Sequence, residues 1–202
     1  MTALTYGEYL QIEKLLSCQS PRTDEHDEVQ FIVVHQVFEL WFKLVLHEIE
    51  AALDALGRGA VGPGARSIRR ITEIARIFPH YIGVLETMRP QDFHRFRTVL
   101  EGASGLQSEQ FREIEVLSGM AEEPSYVEFL RSSGHMTARI ERRLGERNLR
   151  AAVQSLLDRE RITLDAIYAE PERHAGIHDL LEASLDYDEV FLTWRFAHVR
   201  LA

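Results

Sequence analysis

The sequence predicts an all-α protein, a helical bundle, on three observations. Apolar residues recur at three- and four-residue spacing over long stretches. Few segments alternate with period two, and glycine and proline are sparse and widely spaced. With 202 residues, 45% of them hydrophobic, the chain is long enough for one sizeable core. Residues 1–202 are read as one domain.

The elements follow in order. LTYGEYLQIEKLLS (4–17) predicts a short first helix with Leu4, Leu10, Leu15 and Leu16 as its apolar positions. A polar run through Pro21 stops it. Residues 28–56 predict one long helix, apolar on most sides in its first half and therefore buried on several faces. His26, Asp27 and Glu28 suit its start, where acids oppose the helix dipole. His35, Glu39, Lys43 and His47 recur every four residues and make one polar stripe. GRGAVGPG (57–64) reads as a loop, and residues 65–87 as a second long helix ended by Arg89 and Pro90. Residues 91–118 predict two helical pieces around Gly102–Gly105. Residues 125–168 form a further helical block, loosened near Gly134 and Gly145. After Pro171 the final helix covers 177–200.

Composition excludes several classes. A formal net charge of -9 repels phosphate backbones, so no nucleic-acid partner is expected. No basic amphipathic face attracts anionic lipid. Phe31–Leu46 is the most apolar stretch, but His35, Glu39 and Lys43 interrupt it, so it reads as a buried helix rather than a membrane span. Cys18 is the only cysteine, which excludes an intrachain disulfide and suits a reducing cytoplasm. There is no Cys-x-x-Cys-His for covalent haem, and MTALTYGEYL lacks the basic start and apolar run of a signal peptide.

Three residues carry candidate chemistry. His198 shares a helix face with Trp194, Phe191 and Tyr187. Imidazole on an apolar, aromatic face suits an axial haem ligand, because neutral imidazole binds iron and porphyrin needs an apolar wall. From this helix alone, a core histidine satisfied by a carbonyl is the commoner reading. His35 interrupts FIVVHQVFELWF and must face water, a partner or a cavity; on pattern alone a solvent-facing stripe is favoured. Arg97, flanked by Phe93 and Phe96, can offer a guanidinium fork to a carboxylate, or simply form a surface ion pair. Ala103-Ser104-Gly105 could turn backbone N–H groups toward an anion, or be a turn before a helix. HEIE at 47–50 lacks the second histidine of a zinc site. His174, His178 and Glu182 have metal-ligand spacing that arises easily by chance. Cys18 reads as an ordinary thiol.

LTYGEYL (4–10), HDEVQFIVVHQVFELWFKLVLHEIE (26–50), FHRFRTVLEGASGLQSEQFREIE (93–115) and LTWRFAHVR (192–200) together resemble the tryptophan 2,3-dioxygenases. The resemblance implies an α-helical enzyme that carries haem b and opens the indole ring of L-tryptophan with O₂, ending at N-formylkynurenine. It implies His198 as proximal iron ligand, with Trp194 on the same face at the cofactor. It implies His35 as the distal histidine that takes the indole N–H, with Phe31 as the apolar wall beside it. Arg97 would clamp the substrate carboxylate and Phe93 would line the pocket. Ser104 and Gly105 match the loop near the haem propionates, where Ser104 also borders the substrate. Tyr6, Tyr9 and Leu10 match a segment that reaches a neighbouring subunit's pocket, so a homo-oligomer, dimer or tetramer, is implied, with residues 1–20 as the intersubunit segment.

The sequence departs from the family in two places. It stops four residues after His198, where family members continue with a Gly-Thr-Gly-Gly-Ser type loop whose threonine contacts the substrate ammonium. The stretch from Leu117 to Pro171 is short and poorly matched. Two other outcomes therefore stay open at this point: mono-oxygenation of a modified tryptophan or another aromatic amino acid, as in specialised metabolism, and a non-catalytic haem-binding module.

Overall fold

The computed structural model describes residues 4–103 and 105–201. Among them every regular element is helical. Two helices make the scaffold. α3 (His26–Gly57) and α4 (Val61–Leu85) form an antiparallel hairpin. At one end Gln30 Nε2 donates to the carbonyl of Val84 over 2.6 Å. At the other, Gly64 lies so close to Leu56 that a Cβ there would stand 2.8 Å from Leu56 Cδ2. The final helix, α11 (Ala175–Leu201), lies along α4 and runs parallel to it: Arg69 pairs with Asp179, and Phe78 packs against Trp194 further along both helices.

The core follows from helical spacing. Phe38, Phe42, Val45, Ile49, Ala52 and Leu56 of α3 are buried, as are Ala65, Ile68, Ile71, Ala75, Phe78 and Ile82 of α4. Both series step by three or four residues and present one stripe each to the shared interior. By length and hydropathy alone α3 could cross a membrane. Its apolar face is instead spent on α4 and the helices around it.

The polar stripe of α3 divides. His35 and Glu39 are half-buried, whereas Lys43 and His47 are exposed. Position along the helix, not the stripe itself, decides which polar residues meet a cavity.

Several boundaries differ from the sequence reading, each for a backbone reason. The first helix is two, α1 (Tyr6–Leu10) and α2 (Ile12–Leu16), because Gln11 takes a left-handed conformation at φ 54°. GRGAVGPG is only partly a loop. Gly57 ends α3, and Val61 to Gly64 form the first turn of α4, where Pro63 needs no N–H donor. The stretch 91–118 does give two pieces, α5 (Pro90–Arg97) and α6 (Glu109–Leu117), with 3₁₀ turns at Thr98–Leu100 and Gly105–Gln107. The block 125–168 is four helices: α7 (Pro124–Ser132), α8 (Ala138–Leu144), α9 (Leu149–Glu160) and α10 (Leu164–Ala169). Breaks fall near Gly134 and Gly145 as expected. A further one occurs at Arg161, again left-handed.

The approach to α3 is fixed by a buried carboxylate. Glu28, in the first turn of α3, is 2% exposed. It accepts hydrogen bonds from the Arg22 and Thr23 amides (2.7 and 2.8 Å) and from the Thr23 hydroxyl (2.5 Å). Burial acts to raise its pKa, but these hydrogen bonds outweigh burial and hold it below the ordinary carboxylate value. A depressed folded-state pKa gives stability that is present above the unfolded value and lost as pH falls through the folded one. Glu28→Gln is therefore expected to cost about 1–3 kcal/mol near pH 7. In urea titrations that difference should shrink steadily below about pH 4. A pH-independent difference would contradict the assignment.

Candidate functional site

A cavity of about 670 Å³ opens between α3, α5, the 3₁₀ turns and α11. The residues that line it come from five places, one of them the end of α4, with Ile82 and Leu85. Phe31, His35, Phe38, Glu39 and Phe42 come from α3, and Phe93, His94 and Arg97 from α5. Gly105 and Phe111 lie on either side of Ser108, which caps α6 through its hydroxyl. Trp194 and His198 close it from α11.

His198 is seated by Trp194, one turn before it. The two rings stack at 6.1 Å with 29° between planes. Trp194 itself stands in an aromatic nest, edge-on to Phe111 at 4.7 Å and Phe78 at 5.2 Å, with Phe42 and Phe191 each at 5.8 Å. Edge-to-face contacts at these distances add to the area buried. Tyr187 and Phe191, the other members of the expected face, are buried too. Burial lowers the His198 pKa, and the neighbouring His35 and Arg112 lower it further. The imidazole is thereby kept neutral, the form that ligates a metal.

His35 is oriented by its own helix. Its Nδ1 lies 2.7 Å from the Phe31 carbonyl. A carbonyl only accepts, so Nδ1 carries the proton and Nε2 is left as an acceptor in the neutral ring. The Phe31 ring packs against it at 4.1 Å. Both free imidazole nitrogens converge on one spot: a Cβ placed on Gly105 would lie 3.8 Å from His198 Nε2 and 3.9 Å from His35 Nε2. Glycine at 105 keeps the space between the two rings clear.

Arg97 stands at the rim, its guanidinium 5.6 Å from the centre of the Phe93 ring. No acidic side chain pairs with it among the described residues. Phe93 joins Phe31 and Phe96 in an apolar wall. The structure thus brings together Phe31, His35, Phe93, Arg97, Gly105, Trp194 and His198. It leaves Tyr6, Tyr9 and Leu10 outside, exposed on α1. Ser104 falls outside the described residues. The sequence reading missed His94, Glu39 as a lining group, and Leu85, Met88, Pro90 and Leu100. The spacing of Pro90, Phe93, His94 and Arg97, one face of α5, was the available signal.

The residues fit a haem on four counts. The cavity is of cofactor size and largely apolar. A neutral imidazole enters it from one side, and a glycine leaves the approach to that imidazole clear. Among the described residues the buried indole N–H of Trp194 has no hydrogen-bond partner, a donor that a bound anionic group would satisfy. The His174 group does not gather as a metal site: Glu182 accepts from Tyr168 at 2.8 Å, and the His178 ring lies edge-on to the same tyrosine.

Residues 1–161 match the family model described as tryptophan 2,3-dioxygenase. The tryptophan 2,3-dioxygenase of Herpetosiphon aurantiacus is 38% identical over 224 aligned positions, covering 98% of this chain and 84% of that protein. That of Nocardioides sp. is 41% identical over 213 positions, covering 97% and 79%. The chain belongs to the tryptophan 2,3-dioxygenase family. It is an enzyme of that haem-dependent family. The family match includes the segment that carries Phe31, His35, Phe93, Arg97 and Gly105 but stops before α11. The pairwise alignments, at 97–98% of the chain, carry the likeness into α11.

Gly105→Val tests the convergence of the two rings. The contacts around the added carbon are ordinary van der Waals distances, so the fold should survive, with unchanged circular dichroism. Haem uptake should fall sharply. Wild-type haem content in this variant would contradict the geometry.

Proposed function

We propose that this member of the tryptophan 2,3-dioxygenase family adds both atoms of O₂ across the indole C2–C3 bond of L-tryptophan to give N-formylkynurenine, with haem b held by His198. The observation that carries the reading is the pair of imidazole Nε2 atoms, of His198 and His35, that lie 3.8 and 3.9 Å from the Cβ position of Gly105, in one cavity with an arginine that has no acidic partner among the described residues.

The chain's own residues have separable tasks. His198 would hold the iron, and the buried Trp194 Nε1 would offer a hydrogen-bond donor beside it. Bound there, haem supplies the oxygen chemistry. Arg97 takes the substrate carboxylate. His35 Nε2, left as an acceptor by the Phe31 carbonyl, takes the indole N–H. That bond fixes which edge of the indole faces the iron, and orientation of this kind is a large part of rate enhancement. Phe31, Phe93 and Leu100 exclude water around the ring. The whole of residues 1–202 acts as one haem-binding domain in the cytoplasm.

The same reading extends to a homo-oligomer. Tyr6 and Tyr9 of α1 are 77% and 73% exposed, and Leu10 and Leu16 are exposed beside them. Gln36 pins the following turn to α3 by donating to the Cys18 carbonyl at 2.9 Å, so α1 is presented outward. A second copy's cavity mouth is the proposed recipient of Tyr6, Tyr9 and Leu10.

Mass spectrometry of the product made from L-tryptophan under ¹⁸O₂ by reduced, haem-loaded protein tests the reaction. Two labelled oxygens in a ring-opened product are expected; one label on an intact ring would mean mono-oxygenation, and no oxygen uptake a non-catalytic haem protein. Arg97→Ala should weaken L-tryptophan binding by at least about tenfold, since a charge-assisted hydrogen bond is lost. Unchanged affinity would remove Arg97 from the site.

A further inference from the structure

α5 sorts its polar residues by face. On one side Arg89 donates to Asp92 at 2.6 Å, and Arg95 reaches Glu25 at 3.5 Å. These four residues, with His26 and Asp27, line a separate, acid-containing surface cleft. On the other side Pro90, Phe93, His94 and Arg97 line the central cavity. Positions 90, 93, 94 and 97 are one helical face. Asp92 and Glu25 lie on the opposite side of α5 with the bases they neutralise, and Glu39 of α3, which lines the cavity, accepts from Gln110 Nε2 at 2.7 Å. Two basic side chains are left over the cavity, Arg97 and His94. Among the described residues neither has a hydrogen bond or ion pair. Their ring contacts are both with Phe93, at 5.6 Å for the guanidinium and 6.5 Å for the imidazole.

We propose that His94 is a second donor to the substrate's carboxylate, acting with Arg97 as a two-part clamp, and so sets the preference of this enzyme for an α-amino acid over the corresponding amine. The inference rests on Arg97 as the carboxylate site. Three residues separate His94 from Arg97, so both side chains leave α5 on the same side within one turn. Phe93 lies beside them, with the Arg97 guanidinium over its ring. A carboxylate has two oxygens and can take the guanidinium fork and an imidazole N–H at once. Neutral histidine still has one N–H to give, so the contact does not depend on a protonated ring.

Calorimetric titration of haem-loaded protein with L-tryptophan and with tryptamine, its decarboxylated counterpart, tests this. His94→Leu should raise the Kd for L-tryptophan about tenfold, the loss of one hydrogen bond to a charged group, and leave that for tryptamine unchanged. His94→Gln, which keeps an N–H, should recover most of the loss. His94 is exposed, so neither change disturbs the core. Equal weakening of both ligands would make His94 a merely structural residue. Unchanged L-tryptophan affinity in His94→Leu, with Arg97→Ala still impaired, would overturn the role of His94 alone. If the wild-type protein binds tryptamine as tightly as L-tryptophan, the carboxylate reading of Arg97 falls, and that of His94 with it.

Discussion

The seat of Trp194 is the constraint on which the site depends. Its ring is gripped by phenylalanines from three other helices, Phe42 of α3, Phe78 of α4 and Phe111 of α6. It is 3% exposed. Because His198 follows one turn later and stacks on it, the register of α11 is fixed where the imidazole must enter the cavity. A slip of one residue would swing the face by about 100°. It would bring Thr193 or Arg195 into the aromatic nest in place of Trp194 and turn His198 away.

The helix that supplies Phe111 is in turn tied down by buried charge. Glu113 and Glu115 of α6 are fully buried. Glu113 pairs with Arg139 and Arg143 of α8, at 2.5 and 2.8 Å. Glu115 takes the Tyr126 hydroxyl of α7 at 2.7 Å, pairs with Arg112, and lies 3.3 Å from Arg195 of α11. Buried ion pairs add little net stability against well-packed apolar groups, because desolvation offsets the attraction. What they add here is position: a carboxylate that must find several donors admits few arrangements of α6, α7, α8 and α11. The short helices 124–144, which contribute nothing to the cavity wall, thereby hold its floor.

Much of this was legible in the sequence. The long apolar-periodic segments gave α3, α4 and α11, and the aromatic residues four, seven and eleven before His198 gave its face. His35 and Arg97 were different. Pattern alone favoured a solvent stripe and a surface ion pair, because one helix cannot reveal what the next one places opposite. Only the four family-like blocks, and then the geometry, put them in one cavity. The split at Gln11 and the break at Arg161 were not legible, since a non-glycine residue in the left-handed region has no mark in the sequence. Pro63 misled in the other direction: it punctuates loops often, yet it sits as easily in a first helical turn. The division of α5 into an acid-paired face and a cavity face was readable from spacing, but which face meets the cavity was not.

The proposed reaction requires that His198 hold the iron and that His35, which lines the same cavity, not do so. Absorption spectra of ferrous protein after haem loading test this most directly, comparing His198→Gly and His35→Gly with and without added imidazole. The account predicts that His198→Gly loses the haem spectrum and that imidazole, entering the vacated space, restores it. It predicts that His35→Gly keeps the spectrum throughout. Retention of an unaltered spectrum by His198→Gly, or loss of haem from His35→Gly with rescue by imidazole, would contradict it.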